Sequence, residues 1–218
     1  MALRGFRFLR AVEEGVRTVT PLAAANHQLR ARFCTFDVVN PATEQQISSV
    51  DIDSPESVAA KISIAAAGQK LWSNTPLQTR VAALLKFNKL LSEESDELAA
   101  LLSMEMGKPK KHAGGEIAAT QTRIKFLADN VEQACAPITM TDTAGFTERI
   151  EYEPLGVVAN ISAWNFPYFV SSNVFAAALL TGNSVVFKPS EYTPLTGAAI
   201  ARLLHQAGVP ENAFQLVQ

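Results

Sequence analysis

The sequence is poor in the groups that build metal centres and disulfide scaffolds. Of its 218 residues only two are cysteine (Cys34 and Cys135) and three are histidine (His27, His112 and His205). Two cysteines far apart make no disulfide framework and fit a reducing compartment. No histidine stands at ligand spacing from another His, a Cys or a carboxylate, so no metal site is expected. Long apolar runs are missing too. Phe175 to Leu180 is the longest candidate and falls far short of the ~18 residues that span a bilayer, so no membrane partner is expected. Charge of neither sign dominates: 19 Lys and Arg stand against 21 Asp and Glu, a net charge of −2. That balance points neither to nucleic acid nor to a basic partner. No internal repeat, no low-complexity tract and no G-x-G-x-x-G phosphate loop is present. The 48% hydrophobic content is that of a globular protein with a sizeable core, in one large domain or two small ones.

The amino-terminal 33 residues differ from the rest. Arg4, Arg7, Arg10, Arg17, Arg30 and Arg32 are their only basic residues, and Glu13 and Glu14 their only acids. Arg4, Arg7 and Arg10 recur among Leu3, Phe6, Phe8 and Leu9, so a helix there would be amphipathic. This has the character of a mitochondrial transit peptide, although the Glu pair and the shortage of serine count against it. A surface helix or an unfolded extension is the other reading. The expected location is accordingly mitochondrial or cytoplasmic.

Phe36 to Thr43 reads as a strand running into an Asn-Pro turn, and Ile47 to Val50 as its hairpin partner. Ser54-Pro55-Glu56 opens a helix with a capping hydroxyl, a proline at the first turn and an acid at the positive dipole end. Val58, Ile62, Ala65 and Ala66 form its apolar face, which ends near Trp72. A second helix follows Thr75-Pro76, a polar break spans Ser92 to Asp96, and the stripe resumes until Gly107 stops it. Gly114-Gly115 is expected to introduce a further helix, closed by Pro137. Residues 138–153 alternate β-branched or aromatic residues with polar ones around Ala144-Gly145. They predict a two-sided polar β arm, which either pairs with another edge, an intermolecular one being one outlet, or stays a surface hairpin.

From Leu155 the pattern is β-α-β-α-β: Gly156 to Ile161, a helix from Pro167 to Thr181, Ser184 to Lys188, a helix from Pro194 to Ala207, and a strand from Phe214. The nearly all-apolar 156–161 run predicts a strand buried on both faces. This order implies an α/β fold with a doubly wound parallel sheet and right-handed crossovers. Ligands bind such sheets at the carboxyl ends of the strands.

Two sets of polar groups fall there. Asn165 lies just past the first strand end, between Trp164 and Phe166-Pro167. A rigidly held carboxamide NH₂ can stabilise an oxyanion forming on a carbonyl substrate, but an asparagine there also suits a helix cap. Lys188 and Glu191 flank Pro189 and Ser190 at the next strand end. Their ammonium and carboxylate suit ribose hydroxyls, and the acid disfavours a 2′-phosphate. A solvated salt bridge or a snorkelling lysine is the plainer reading.

Together and in order, these residues resemble the NAD(P)-dependent aldehyde dehydrogenase superfamily. The match rests on Glu153-Pro154-Leu155-Gly156-Val157-Val158, Trp164-Asn165-Phe166-Pro167, Leu180 to Val186 and Lys188-Pro189-Ser190-Glu191. Phe36 to Thr43, Met104-Glu105-Met106-Gly107-Lys108-Pro109 and Gly208-Val209-Pro210 add to it. The resemblance covers roughly residues 35–218 and stands nearest to NAD-preferring members similar to succinate-semialdehyde dehydrogenases. It implies oxidation of a small-molecule aldehyde through a cysteine thiohemiacetal, hydride transfer to NAD(P)⁺, and hydrolysis of the thioester. It implies that Asn165 is the side-chain donor of the oxyanion site. It further implies that Ile161, Ser162, Ala163, Trp164 and Asn165 run along the cofactor. Lys188, Pro189, Ser190 and Glu191 then hold the adenine ribose, with NAD preferred and NADP the alternative. The 138–154 arm resembles the family's oligomerisation strands, implying a homo-oligomer when full length.

Three departures from the family pattern shape the remaining expectations. The family's nucleophilic cysteine, general-base glutamate and glycine-containing cofactor turn have no counterpart in these 218 residues. Ala163 replaces the proline most members carry. Members acting on succinate semialdehyde tend to carry an arginine on the helix after Asn165, but here it begins Tyr168-Phe169-Val170, which weighs against that substrate. The expected organisation is an extension (1–33), a helical part of a cofactor-binding domain (34–137), the arm (138–154) and an α/β part (155–218), with the catalytic domain absent. Such an incomplete fold is expected to be inactive alone. The rival expectation is a non-catalytic partner that docks its arm on full-length subunits. A fragment without a role is the third.

Overall fold

The computed structural model describes residues 34–218. The arginine-rich segment 1–33, with the transit-peptide reading, lies outside the described residues. The described chain opens with an antiparallel hairpin, β1 (Thr35–Val39) and β2 (Gln46–Asp51). Its turn is locked by Asn40, whose Oδ1 accepts from the Ala42 N–H at 2.9 Å.

Four helices follow. In α1 (Pro55–Ser73) the Ser54 hydroxyl accepts from Ser57 N–H and Glu56 sits in the first turn, as the local signals predict. The next are α2 (Leu77–Glu93), α3 (Ser95–Met106) and α4 (Lys110–Ala134). Gly107 ends α3 in the left-handed region at φ 75°, where glycine carries no Cβ penalty. Gly114 and Gly115 do not introduce α4. The helix starts four residues earlier, at Lys110, just after Pro109, and both glycines lie in its second turn. Proline at the threshold outweighs interior glycine as a start signal.

The arm is a hairpin of β3 (Ile138–Thr143) and β4 (Phe146–Ile150). Among the described residues it pairs only with itself.

The α/β unit comprises β5 (Val157–Ile161), α5 (Pro167–Leu180), β6 (Ser184–Lys188), α6 (Pro194–Ala207), a short 3₁₀ turn (Glu211–Ala213) and β7 (Phe214–Leu216). The three strands are parallel in the order β5-β6-β7. Helix α1 packs on all three. β5 is less buried than its sequence predicts. Ala159 and Ile161, which share one face of this edge strand, are exposed. Asn160 is its one buried side chain, donating to the Ser171 carbonyl at 3.0 Å.

A single apolar core joins the helical segment to the sheet. At its centre Phe175 of α5 meets Phe87 of α2, Phe187 of β6 and Phe214 of β7 edge-on, with ring centroids 5.7 to 6.3 Å apart. Arg80 closes the carboxyl ends of two helices at once. Its guanidinium donates to the Leu180 carbonyl at the end of α5 (3.0 Å) and to the Ser73 carbonyl at the end of α1 (3.1 Å). A cation there satisfies orphan carbonyls and opposes the negative dipole end.

Candidate cofactor and oxyanion site

β5 and β6 end level with each other. Ile161 pairs with Lys188, and Ser162 N–H donates to the Lys188 carbonyl at 3.0 Å. Beyond them two loops rise from the same rim. One carries Ala163, Trp164, Asn165 and Phe166; the other carries Pro189, Ser190, Glu191, Tyr192 and Thr193. They meet where the Trp164 and Tyr192 rings pack edge-on, 5.6 Å apart. A cleft of about 760 Å³ opens beside this contact, lined by Trp164, Glu191, Tyr192, Glu105, Met106 and the β1 strand. Ser162, Pro189 and Ser190 are buried, Ala163 and Lys188 half-buried, and Ile161, Trp164, Asn165 and Glu191 exposed. The two motifs thus rise from one rim, and of the residues singled out in them Trp164 and Glu191 line the cleft, whereas Asn165 and Lys188 do not.

Asn165 does not cap α5. Phe166 holds the cap position, and no side chain of its own loop bonds the free N–H groups. Glu116 of α4 does so instead, accepting from Tyr168 N–H at 2.8 Å and Phe169 N–H at 3.3 Å. The Asn165 carboxamide has no hydrogen-bond partner among the described residues and is left to face the rim. The start of α6 is treated alike: Glu105 of α3 accepts from Leu195 N–H, from Thr196 N–H at 2.9 Å and from the Thr196 hydroxyl at 2.6 Å. Helix amino termini are ready-made phosphate seats. Here both are filled by buried carboxylates, so a dinucleotide's pyrophosphate cannot sit on either. This agrees with the missing glycine-rich loop, whose task is to bring pyrophosphate onto such a terminus.

Lys188 and Glu191 make no ion pair with each other. Lys188 Nζ donates to the Pro189 carbonyl at 2.8 Å, and Glu191 accepts from the Ser190 hydroxyl at 3.2 Å. Glu191 is held below the usual carboxylate range, chiefly by its own backbone N–H. It is therefore an anion at neutral pH. The loop is rigid on its inner side: a Cβ on Gly197 of α6 would come within 2.4 Å of the Pro189 ring. Lys188 and Glu191 thus present an ammonium and a carboxylate from the same strand end. Burial pushes Glu105 up to about 7, against the pull of its bonds from Thr196 and Leu195. Tyr168, fully buried, has its phenol raised by burial and by the nearness of Glu105 and Glu116.

Sequence reasoning missed Glu105 and Glu116 as anchors and Tyr192 as the aromatic partner of Trp164. An acid between two methionines on an apolar helix stripe was the available signal, because a buried carboxylate must find donors.

Neither cysteine lies on the two loops of the rim. Cys34 precedes β1 and is exposed. Cys135 ends α4, whose 25 residues run roughly 37 Å from the end that abuts the Asn165 loop. Among the described residues no three His, Cys, Asp or Glu side chains cluster to hold a metal, and no helix is long and apolar enough to cross a membrane.

Residues 30–218 match the model of the aldehyde dehydrogenase family. The chain is 35% identical over 194 residues to 3,6-anhydro-alpha-L-galactose dehydrogenase of Streptomyces coelicolor, covering 89% of this chain and 39% of that protein. Two solved structures superpose with a TM-score of 0.79 over 84% of this chain and 40% of theirs. One is an NAD-dependent benzaldehyde dehydrogenase from Corynebacterium glutamicum, 31% identical. The other is an NADP-dependent glyceraldehyde-3-phosphate dehydrogenase from Bacillus halodurans, complexed with NADP, 34% identical. The chain spans about two fifths of the length of the curated relatives it matches.

Proposed function

This chain belongs to the aldehyde dehydrogenase family, and from that premise we propose that it supplies the nucleotide grip and the oxyanion donor of an enzyme oxidising an aldehyde to a carboxylic acid. The observation that carries this reading is the register of Ile161 with Lys188, from which both motif loops rise side by side. NAD⁺ supplies the hydride acceptor when bound. Lys188 and Glu191 bind its adenine ribose, Ile161 to Trp164 run along it, and the Asn165 carboxamide donates to the substrate oxygen as negative charge builds there. Trp164 and Phe166 flank that point.

Calorimetric titration of the 218-residue chain is expected to show NAD⁺ bound in preference to NADP⁺. The negative Glu191 accepts from a ribose hydroxyl and repels a 2′-phosphate. Glu191→Gln is expected to narrow the preference by about tenfold, some 1.4 kcal/mol. Equal affinity of the parent chain for both nucleotides, or for neither, would refute the assignment. The purified chain is also expected to form no NADH from aldehydes, since neither cysteine lies on the loops of the rim to attack a carbonyl held at Asn165. A cysteine-dependent NADH signal would overturn that.

The arm favours a second reading. Nearly all of β3 and β4 is exposed, including Ile138, Met140, Phe146 and Ile150. A chain that docks this arm on full-length subunits would act in assembly. Co-purification with a full-length member, lost on deleting residues 138–153, would support it. Clean monomer with no capture would count against it.

A further inference from the structure

Lys108 follows the glycine that ends α3, and its side chain is 10% exposed, against 0% for that of Glu116. Its ammonium serves three partners. It donates to Glu116 Oε2 at 2.5 Å and to the Asn165 carbonyl at 2.6 Å, and it stands 3.9 Å from the centre of the Phe166 ring. The other oxygen of the same carboxylate takes the Tyr168 and Phe169 N–H groups. One ion pair therefore grips the loop on both sides of Pro167: the cation at Asn165 and Phe166, the anion at the first turn of α5.

We propose that Lys108, seated by Glu116, is the positioning residue that aims the Asn165 carboxamide. The proposal rests on the reading of Asn165 as the oxyanion donor. Asn165 itself is exposed and no partner among the described residues holds its side chain, so the backbone alone sets the point from which its carboxamide projects. Lys108 fixes the peptide plane immediately after it. An oxyanion donor works only if it is held in place before charge appears, and small misplacements are costly. A plain surface ion pair contributes little and would position nothing. Two features set this one apart. Both partners are removed from water, and the ammonium bonds the loop backbone as well as the acid. A compact ammonium with three donors can face a carboxylate, a carbonyl and a ring at once, where a planar guanidinium would not.

The test is nitrogen-15-edited NMR on the 218-residue chain. It has two tryptophans, hence two indole N–H signals. Trp72 donates to the Leu179 carbonyl in the core at 2.9 Å and reports on the fold. Trp164 reports on the loop. The Asn165 carboxamide pair is identified by its loss in Asn165→Asp. Lys108→Met keeps the aliphatic stem and is expected to shift the Asn165 carboxamide pair and the Trp164 indole, leaving Trp72 in place. Asn165 and Trp164 signals unchanged in that variant would overturn the proposal, as would a Trp72 signal that moves with them. Should Lys108→Met fail to fold, Glu116→Gln decides. It keeps an acceptor for Tyr168 and Phe169 and removes only the anion behind Lys108, and the same two signals must move. A parent chain that fails to bind NAD⁺ counts against the function proposed above; the clamp is judged by the NMR signals alone.

Discussion

Replacing Gly68 with alanine is expected to lower the unfolding midpoint by roughly 10 °C, the shift that about 3 kcal/mol produces in a chain of this size. Gly68 lies buried in α1 over the 3₁₀ turn. A Cβ there would come 2.1 Å from the Asn212 carbonyl oxygen and 2.5 Å from its carbon. Those atoms are backbone and cannot swing aside as a side-chain end would. Helix α1 must lift from the turn, and its contact with all three strands loosens. Alanine's better helix propensity returns at most about 1 kcal/mol, which overpacking on this scale outweighs. The comparison that isolates the cause is Gly114→Ala in α4. Nothing lies within 4 Å of the added methyl, so the same change should stabilise by ~0.5–1 kcal/mol. Thermal or urea unfolding reads both. A Gly68→Ala chain as stable as its parent would show that α1 does not sit this closely on the turn.

Glu105 should give stability an inverted pH dependence. Its carboxyl is raised from 4.5 to about 7 by burial. Below about pH 4.5 the folded and unfolded chains both hold the proton. As pH rises toward 7 the unfolded chain loses it first, so stability from this group declines through that window, by roughly 3 kcal/mol in total, and is level above it. Glu105→Gln cannot ionise and should remove the decline. The parent should lose ground relative to the variant between pH 5 and pH 8, measured by urea unfolding at each pH. A parent that gains ground over that range would sink the prediction. Asp53 does not confuse the reading. Burial opposes it, but Lys61, Ser57 and the Gln218 backbone hold it below its usual value. Its contribution is lost only as pH falls below that range.

What the sequence disclosed was local. Ser54-Pro55-Glu56, Gly107 and the alternation from Val157 to Leu216 each act within a turn or a strand, and each folds as read. The two motif loops share a rim because short crossovers between parallel strands leave them nowhere else to go. What stayed hidden depends on distant partners. The starts of α5 and α6 looked uncapped because their carboxylates arrive from 52 and 91 residues away. The 156–161 run looked doubly buried because hydrophobicity records what a strand can bury, whereas exposure depends on what covers each of its faces. Gly114-Gly115 misled because glycine marks a helix boundary only when no stronger signal lies close by, and Pro109 did.

The borrowed carboxylates also bear on the order in which this chain can mature on the ribosome. Glu105 and Glu116 are synthesised long before the N–H groups that they serve. Until Tyr168 and then Thr196 emerge, the Glu116 carboxylate has Lys108 alone of its folded-state donors and that of Glu105 has none of its own. Synthesis is vectorial, but the bonds that close this core span both halves. The expected consequence is that the two halves consolidate together, once residue 196 has left the ribosome.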